Sequence, residues 1–166
     1  MNATIRALVL WIAVLPAALA GETPATQLFA ALAGQWQGAG EVRGMPSKQE
    51  MHWEPVLDGR FLRLSFDNRM TAADGKEWRF QAEAYYRVQA DGTIAGTWFD
   101  SRGASFPLEG TVEPGGAMTI LWGRAETERG RSKYRISDAS LEVTDEVMAP
   151  DGAWRMFGRT TLTRLP

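Results

Sequence analysis

The chain has 166 residues, a formal net charge of −2, no cysteine and a single histidine. That length fits one domain. The mild acidity argues against a nucleic-acid or anionic-membrane partner, which needs a basic face, and without cysteine there is neither a disulfide framework nor a thiolate metal site.

Residues 1–20 read as a secretory signal peptide. MNATIR carries one cation, ALVLWIAVLP is a short apolar run, and Ala18-Leu19-Ala20 forms a small-x-small cleavage site. The run is too short for a stable membrane span. The expected organisation is a cleaved segment 1–20 and one domain over 21–166. Cleavage removes Arg6 alone and leaves 17 cations against 20 acids, a net charge of −3. A lipid-anchored bacterial precursor needs a Cys at the cleavage site, so the expected product is soluble and periplasmic or secreted.

Thr23-Pro24 is an N-cap followed by Pro at the first helical position, and Leu28, Phe29 and Leu32 share one side before Gly34. This predicts one short helix over about 24–33. Everything after it has strand character. Trp36–Val42 opens the series, and Glu50–Leu57 alternates Met51, Trp53 and Leu57 with Glu50, His52 and Glu54. Asp58-Gly59 is a tight-turn signal. Leu62, Leu64 and Phe66 then alternate with Arg63, Ser65 and Asp67. A long period-2 run from Trp78 to Val88 follows the turn at Ala73-Asp74-Gly75. Further strands are expected at 93–101, 105–113, 117–123, 132–137, 141–148 and 154–163, separated by Gly- and Asp-rich turns.

One helix followed by about ten short strands excludes a parallel βαβ sheet. The predicted fold class is all-β, an antiparallel up-and-down barrel, because the turns join sequential strands in meander order. Outside the signal segment the tryptophans fall at 36, 53, 78, 98, 122 and 154, one per strand. That distribution suits rings that fill or line a closed interior.

The stretch LAGQWQGAG, Leu32–Gly40, is not a phosphate loop. Such a loop needs a strand before it and a helix after it, and here the order is reversed. Gly-x-Trp after a short helix resembles the opening motif of lipocalin-like, or calycin, barrels, in which the Trp closes one end. Gly96-Thr97-Trp98-Phe99-Asp100-Ser101, the Lys133-Tyr134-Arg135 strand, the Asp151-Gly152-Ala153-Trp154 hairpin and Arg164 resemble a bacterial family known as domain of unknown function 1579. That resemblance runs from about residue 32 to the C-terminus and implies a lipocalin-like barrel with no established activity. Gly34-Gln35-Trp36-Gln37-Gly38 is similar to the start of nitrobindin, a ten-stranded haem barrel, and more distantly the pattern is that of fatty-acid-binding-protein-like barrels. The haem-ligating His of nitrobindin lies near its C-terminus. The sole imidazole here is His52, in the second strand, so no cofactor is expected.

His52 lies in phase with Glu50 and Glu54 and reads as a half-exposed strand residue. One His without Cys gives no metal site, and no Ser sits in the strand-elbow-helix context of a hydrolase nucleophile. Glu83, Asp100 and Glu146 stand in strands among apolar residues. Asp100 is in phase with Trp98, or else starts the turn at Ser101-Arg102-Gly103 and bonds its own backbone; Glu83 is in phase with Tyr85 and Arg87, and one of Asp145 and Glu146 must face inward. An inward acid needs a partner, and Arg63, Arg87, Arg135 and Arg159 are the candidates. The candidate ligand-binding set is therefore Trp36, Trp53, Glu83, Tyr85, Trp98, Asp100 and Arg135, around a small hydrophobic or amphiphilic molecule. The alternatives are a barrel enzyme using Asp100 or Glu83 with a Tyr or Arg, and a filled barrel that serves as an envelope interaction module.

Overall fold

Alternation of apolar and polar side chains dictates a sheet with one dry face, and ten such strands in meander order can satisfy their edges by closing on themselves. The computed structural model shows that closure. It describes residues 23–124 and 126–166, so the expected signal segment and its cleavage site lie outside the described residues. Helix α1 (Pro24–Leu32) precedes strands β1 (Gly34–Val42), β2 (Met45–Val56), β3 (Phe61–Thr71), β4 (Glu77–Val88), β5 (Ile94–Asp100), β6 (Ser105–Val112), β7 (Met118–Gly123), β8 (Arg129–Ser137), β9 (Ser140–Met148) and β10 (Trp154–Arg164). Every strand pairs antiparallel with its chain neighbours, and β1 closes the ring by pairing with β10 from Trp36↔Arg164 to Val42↔Gly158. Among the described residues no helix is long and apolar enough to cross a membrane.

Helix α1 plugs one end. Thr23 caps it by accepting a hydrogen bond from the Thr26 amide at 3.2 Å, with Pro24 just inside. Ala25, Leu28 and Leu32 are buried, and Phe29 meets Tyr86 edge-on at 6.5 Å. Trp36 ties the helix to the first strand, its indole Nε1 donating to the Leu32 carbonyl at 2.8 Å. Beneath the helix the interior is solid: Trp53, Leu62, Leu64, Tyr86, Ile94, Met118, Leu141 and Leu162 form one buried cluster.

Three strands depart from the expectation by three residues or more. β2 starts at Met45 rather than Glu50, β3 continues to Thr71 rather than Asp67, and β8 starts at Arg129 rather than Ser132. The added segments carry inward-facing polar residues, Ser47, Gln49 and Asn68, which break the apolar alternation. The tryptophans also divide. Trp78 is 50% exposed at the rim. Trp154 lies outside the barrel against Arg131, whose guanidinium sits 4.4 Å from its ring, because a β-bulge between Met156 and Gly158 shifts the phase of β10.

Candidate functional site

The half of the barrel away from the helix is not filled. A cavity of about 650 Å³ opens between the β1–β2, β3–β4, β5–β6 and β7–β8 turns and reaches inward to Tyr86, Tyr134 and Ile120. Its walls are largely aromatic. Phe66, Phe80 and Trp98 form one group, with centroids 6.1–6.4 Å apart. Phe106, Trp122 and Phe157 form the other, Trp122 lying 5.9 Å from Phe106 and 6.4 Å from Phe157. Trp122 can lie flat because β8 carries Gly130 beneath it; a Cβ there would stand 2.0 Å from the indole. The apolar lining follows from strand alternation.

Polar groups break this lining in two places. On one side Gln49 donates through Nε2 to Ser47 Oγ at 3.2 Å, and Ser47 donates to Asn68 Oδ1 at 2.7 Å. Gln49 is 2% exposed, and its Oε1 has no hydrogen-bond partner among the described residues. On the other side Trp122 Nε1 donates to Ser132 Oγ at 3.3 Å, and Ser132 donates to Asp145 Oδ1 at 2.5 Å. Asp145 is the inward member of the Asp145–Glu146 pair. Glu146 faces out to Arg131, whose guanidinium hydrogen bonds, aided by its charge, hold the carboxyl below the usual range. Asp145 lines the cavity, and Ser132 is its one hydrogen-bond partner among the described residues. Burial in the barrel wall pushes its pKa up to about 6, only partly opposed by the Ser132 hydroxyl. Burial likewise raises the Tyr86 and Tyr134 phenols.

The direction of the Asp145 shift fixes a stability prediction. A carboxyl whose folded pKa lies above its unfolded value favours folding while protonated, and that contribution fades as pH rises from about 4 through about 6. Asp145→Asn keeps an acceptor for Ser132 and removes the charge. It is expected to raise the unfolding free energy by about 1–2 kcal/mol at pH 7, discounted from the full shift because the open cavity admits solvent, and by nearly nothing at pH 4. Urea unfolding of both proteins at the two pH values checks this; an equal difference at both would remove Asp145 from the wall.

Of the residues predicted from sequence, Trp36, Glu83 and Asp100 border one open groove on the outside of β1–β5, and the set as a whole does not meet in the cavity. Trp98 lines the cavity, half-buried. Trp36 and Trp53 are buried in the solid half, 1% and 0% exposed, as structural rings rather than cavity lining. Asp100 has a fully covered side chain, but its oxygens are taken by its own turn. Arg102 donates through Nη2 to Oδ2 at 2.8 Å and through its amide to Oδ1 at 2.9 Å, and Trp98 Nε1 donates to Oδ2 at 3.3 Å. Burial works to raise the Asp100 pKa; the Arg102 guanidinium and amide outweigh it and leave it lowered. Glu83, Tyr85 and Arg135 point outward. Glu83 accepts hydrogen bonds from Ser65 and Tyr85 on the outer surface, and Arg135 is exposed in the outward phase of β8. Strand alternation, which the sequence already showed for Glu83, keeps all three out of the interior. The expected Arg partners miss as well: Arg63 pairs with Glu54 and Arg159 with Glu142, both outside. His52 lies on the outer face of β2, and no group of three or more potential metal ligands exists among the described residues.

Cations collect at the mouth instead. Arg102 lies over Phe80 and Phe106 and reaches Glu128 at 3.3 Å; Arg43 lies 5.7 Å over Phe157 and 3.9 Å from Glu128. Arg79 is bound by Asp67. Sequence reasoning missed Arg102, Asp145, Ser132 and Gln49 as site residues. The signal for Asp145 was present, since one of two adjacent strand acids must face inward.

An all-β barrel with one plugged end and one open, aromatic-walled end is a container in form. Comparison with protein families finds no match, and comparison with curated proteins finds none either. Among solved structures the chain is similar to Rv2717c from M. tuberculosis, with a TM-score of 0.64 and 22% identity over 86% of this chain and 98% of that one. At that identity the likeness shows the ten-stranded barrel and carries nothing about a ligand.

Proposed function

We propose that this protein is a lipocalin-like carrier or sensor that holds one small amphiphilic molecule in the open half of its barrel. The observation behind this reading is the cavity itself: about 650 Å³, within the range of small-ligand sites, walled by rings and interrupted by Gln49 Oε1 and Asp145. A barrel serving only as a folded interaction surface would gain by filling that space, since a void forfeits packing energy. Export after removal of residues 1–20, to the periplasm or outside the cell, belongs to the same reading, as does kinship with the domain-1579 family suggested by the Gly96–Ser101 strand.

The test uses 1-anilinonaphthalene-8-sulfonate, an aromatic probe of suitable size. It is expected to bind the native protein saturably, one per chain, with energy transfer from Trp98 and Trp122. Met45→Trp, which places a large ring in the mouth, should weaken binding at least tenfold while leaving the far-ultraviolet circular dichroism unchanged. Absence of saturable binding by this probe and by uncharged or cationic naphthalenes alike, or binding indifferent to Met45→Trp in a folded variant, defeats the container reading.

A further inference from the structure

Among the described residues that line the cavity, the one buried polar atom without a hydrogen-bond partner is an acceptor, Gln49 Oε1. Gln49 is buried, and its amide nitrogen is committed to Ser47, which leaves Oε1 alone. In this orientation Ser47 in turn donates to Asn68 Oδ1. Asp145 has its Oδ1 held by Ser132, and Oδ2 faces Gly158, where a Cβ would come within 3.2 Å of it. A side chain on Gly158 would cover this oxygen; glycine leaves it open. Leaving the buried Gln49 Oε1 without a donor is unfavourable, and the Asp145 carboxylate has Ser132 as its one hydrogen-bond partner among the described residues, so the occupant that suits this cavity supplies donors at its inner end.

The surroundings of Asp145 narrow the donor further. Ser132, which holds the carboxylate, is itself anchored by the indole of Trp122, and that ring stands with Phe157 and Phe106 in the same wall. A carboxylate in an aromatic-walled cavity favours a desolvated organic cation through its charge, and rings in the same wall add the attraction of their quadrupoles. The arginines near the site do not fill this place. Arg102 is neutralised by Asp100 and Glu128, Arg79 by Asp67, and Arg43 lies at the rim against Phe157 and Glu128.

We propose that the occupant carries a protonated amine on a flat apolar body, with the ammonium group held by Asp145 and the rings of Trp122 and Phe157, and an N–H directed to Gln49. This rests on the container reading and names the chemical class of its ligand. The apolar body would lie between Phe66, Phe80 and Trp98, which form the opposite wall.

The experiment compares 1-naphthylmethylamine with its neutral counterpart 1-naphthalenemethanol by isothermal titration calorimetry. At pH 8 the amine is expected to bind at least tenfold tighter than the alcohol. At pH 4.5, where Asp145 is largely protonated, the ratio should fall below about threefold. Of the other groups facing this space, Tyr86 and Tyr134 stay uncharged across that range because burial raises them, Asp100 stays ionised because Arg102 holds it low, and Arg79 and Arg102 stay charged because their carboxylate partners raise them. Glu128 sits at the rim with Arg102 and Arg43, so Glu128→Gln serves as a control that should keep the pH 8 ratio above about fivefold. Asp145→Asn should reduce that ratio to below threefold. If the alcohol binds as tightly as the amine, or the ratio survives Asp145→Asn, the amine proposal fails while the container reading stands. If neither naphthalene nor the anilinonaphthalene probe binds, the container reading itself fails, and the amine proposal with it.

Discussion

Gly38→Ala is expected to destabilise the protein by about 3 kcal/mol or more, at the upper end of what an added methyl group does in a packed site. A Cβ at Gly38 would lie 2.0 Å from the Thr161 carbonyl oxygen, 2.6 Å from Leu162 Cα and 2.8 Å from the Thr161 carbonyl carbon. All three atoms belong to backbone, so no rotamer change relieves the clash. Gly38 pairs with Gln49 on one side and Leu162 on the other, at the point where the last strand meets the first. Relief therefore requires β10 to move off β1, opening the ring and exposing two strand edges. Gly44→Ala separates this contact from ordinary glycine strain. That residue has φ +76° in open space, and the substitution is expected to cost only about 1 kcal/mol. Urea unfolding followed by tryptophan fluorescence measures both. A Gly38→Ala cost no larger than that of Gly44→Ala would mean that the seam yields easily and that β1 does not fix closure.

The barrel was legible because its solid half obeys the simplest rule. Met51, Trp53, Leu62, Leu64, Ala84 and Tyr86 alternate with polar neighbours and face inward, so period 2 and turn residues suffice to count strands and order them. The open half violates that rule. Ser47, Gln49, Asn68, Ser132 and Asp145 face inward although they are polar, and a reading that assigns polar residues to solvent shortens those strands and overlooks the site in one stroke. Asp100 illustrates the complementary error. Its phase was read correctly, but its partner, Arg102, is two residues along in the turn, and such a local ion pair is invisible to an argument that looks for an arginine on a facing strand. Trp154 was misplaced because a bulge in β10 adds one residue to the count, and nothing in the local sequence marks where alternation slips.

Trp53→Ala is expected to cost about 3–5 kcal/mol, since the ring is 0% exposed and sits between Tyr86 at 5.4 Å and Tyr134 at 5.6 Å. Phenylalanine at the same position distinguishes ring volume from the indole N–H. Trp53 Nε1 has no hydrogen-bond partner among the described residues, whereas Trp36 Nε1 donates to the Leu32 carbonyl at 2.8 Å. Both rings are fully buried, so replacing either by Phe removes a similar volume. At Trp53 the change also removes a buried, unsatisfied donor, which offsets part of the lost packing. At Trp36 it strands a carbonyl in the last turn of α1 and weakens the contact with Arg164, whose guanidinium lies 4.3 Å from the ring. Trp36→Phe is therefore expected to cost about 1–3 kcal/mol more than Trp53→Phe. The additional loss should appear as detachment of the helix, with faster amide exchange at Leu28 to Leu32 in the Trp36 variant alone. Equal costs for the two substitutions would show that the Trp53 N–H is satisfied after all, by water reaching the cavity floor, and that the solid half of the barrel is wetter than its packing implies.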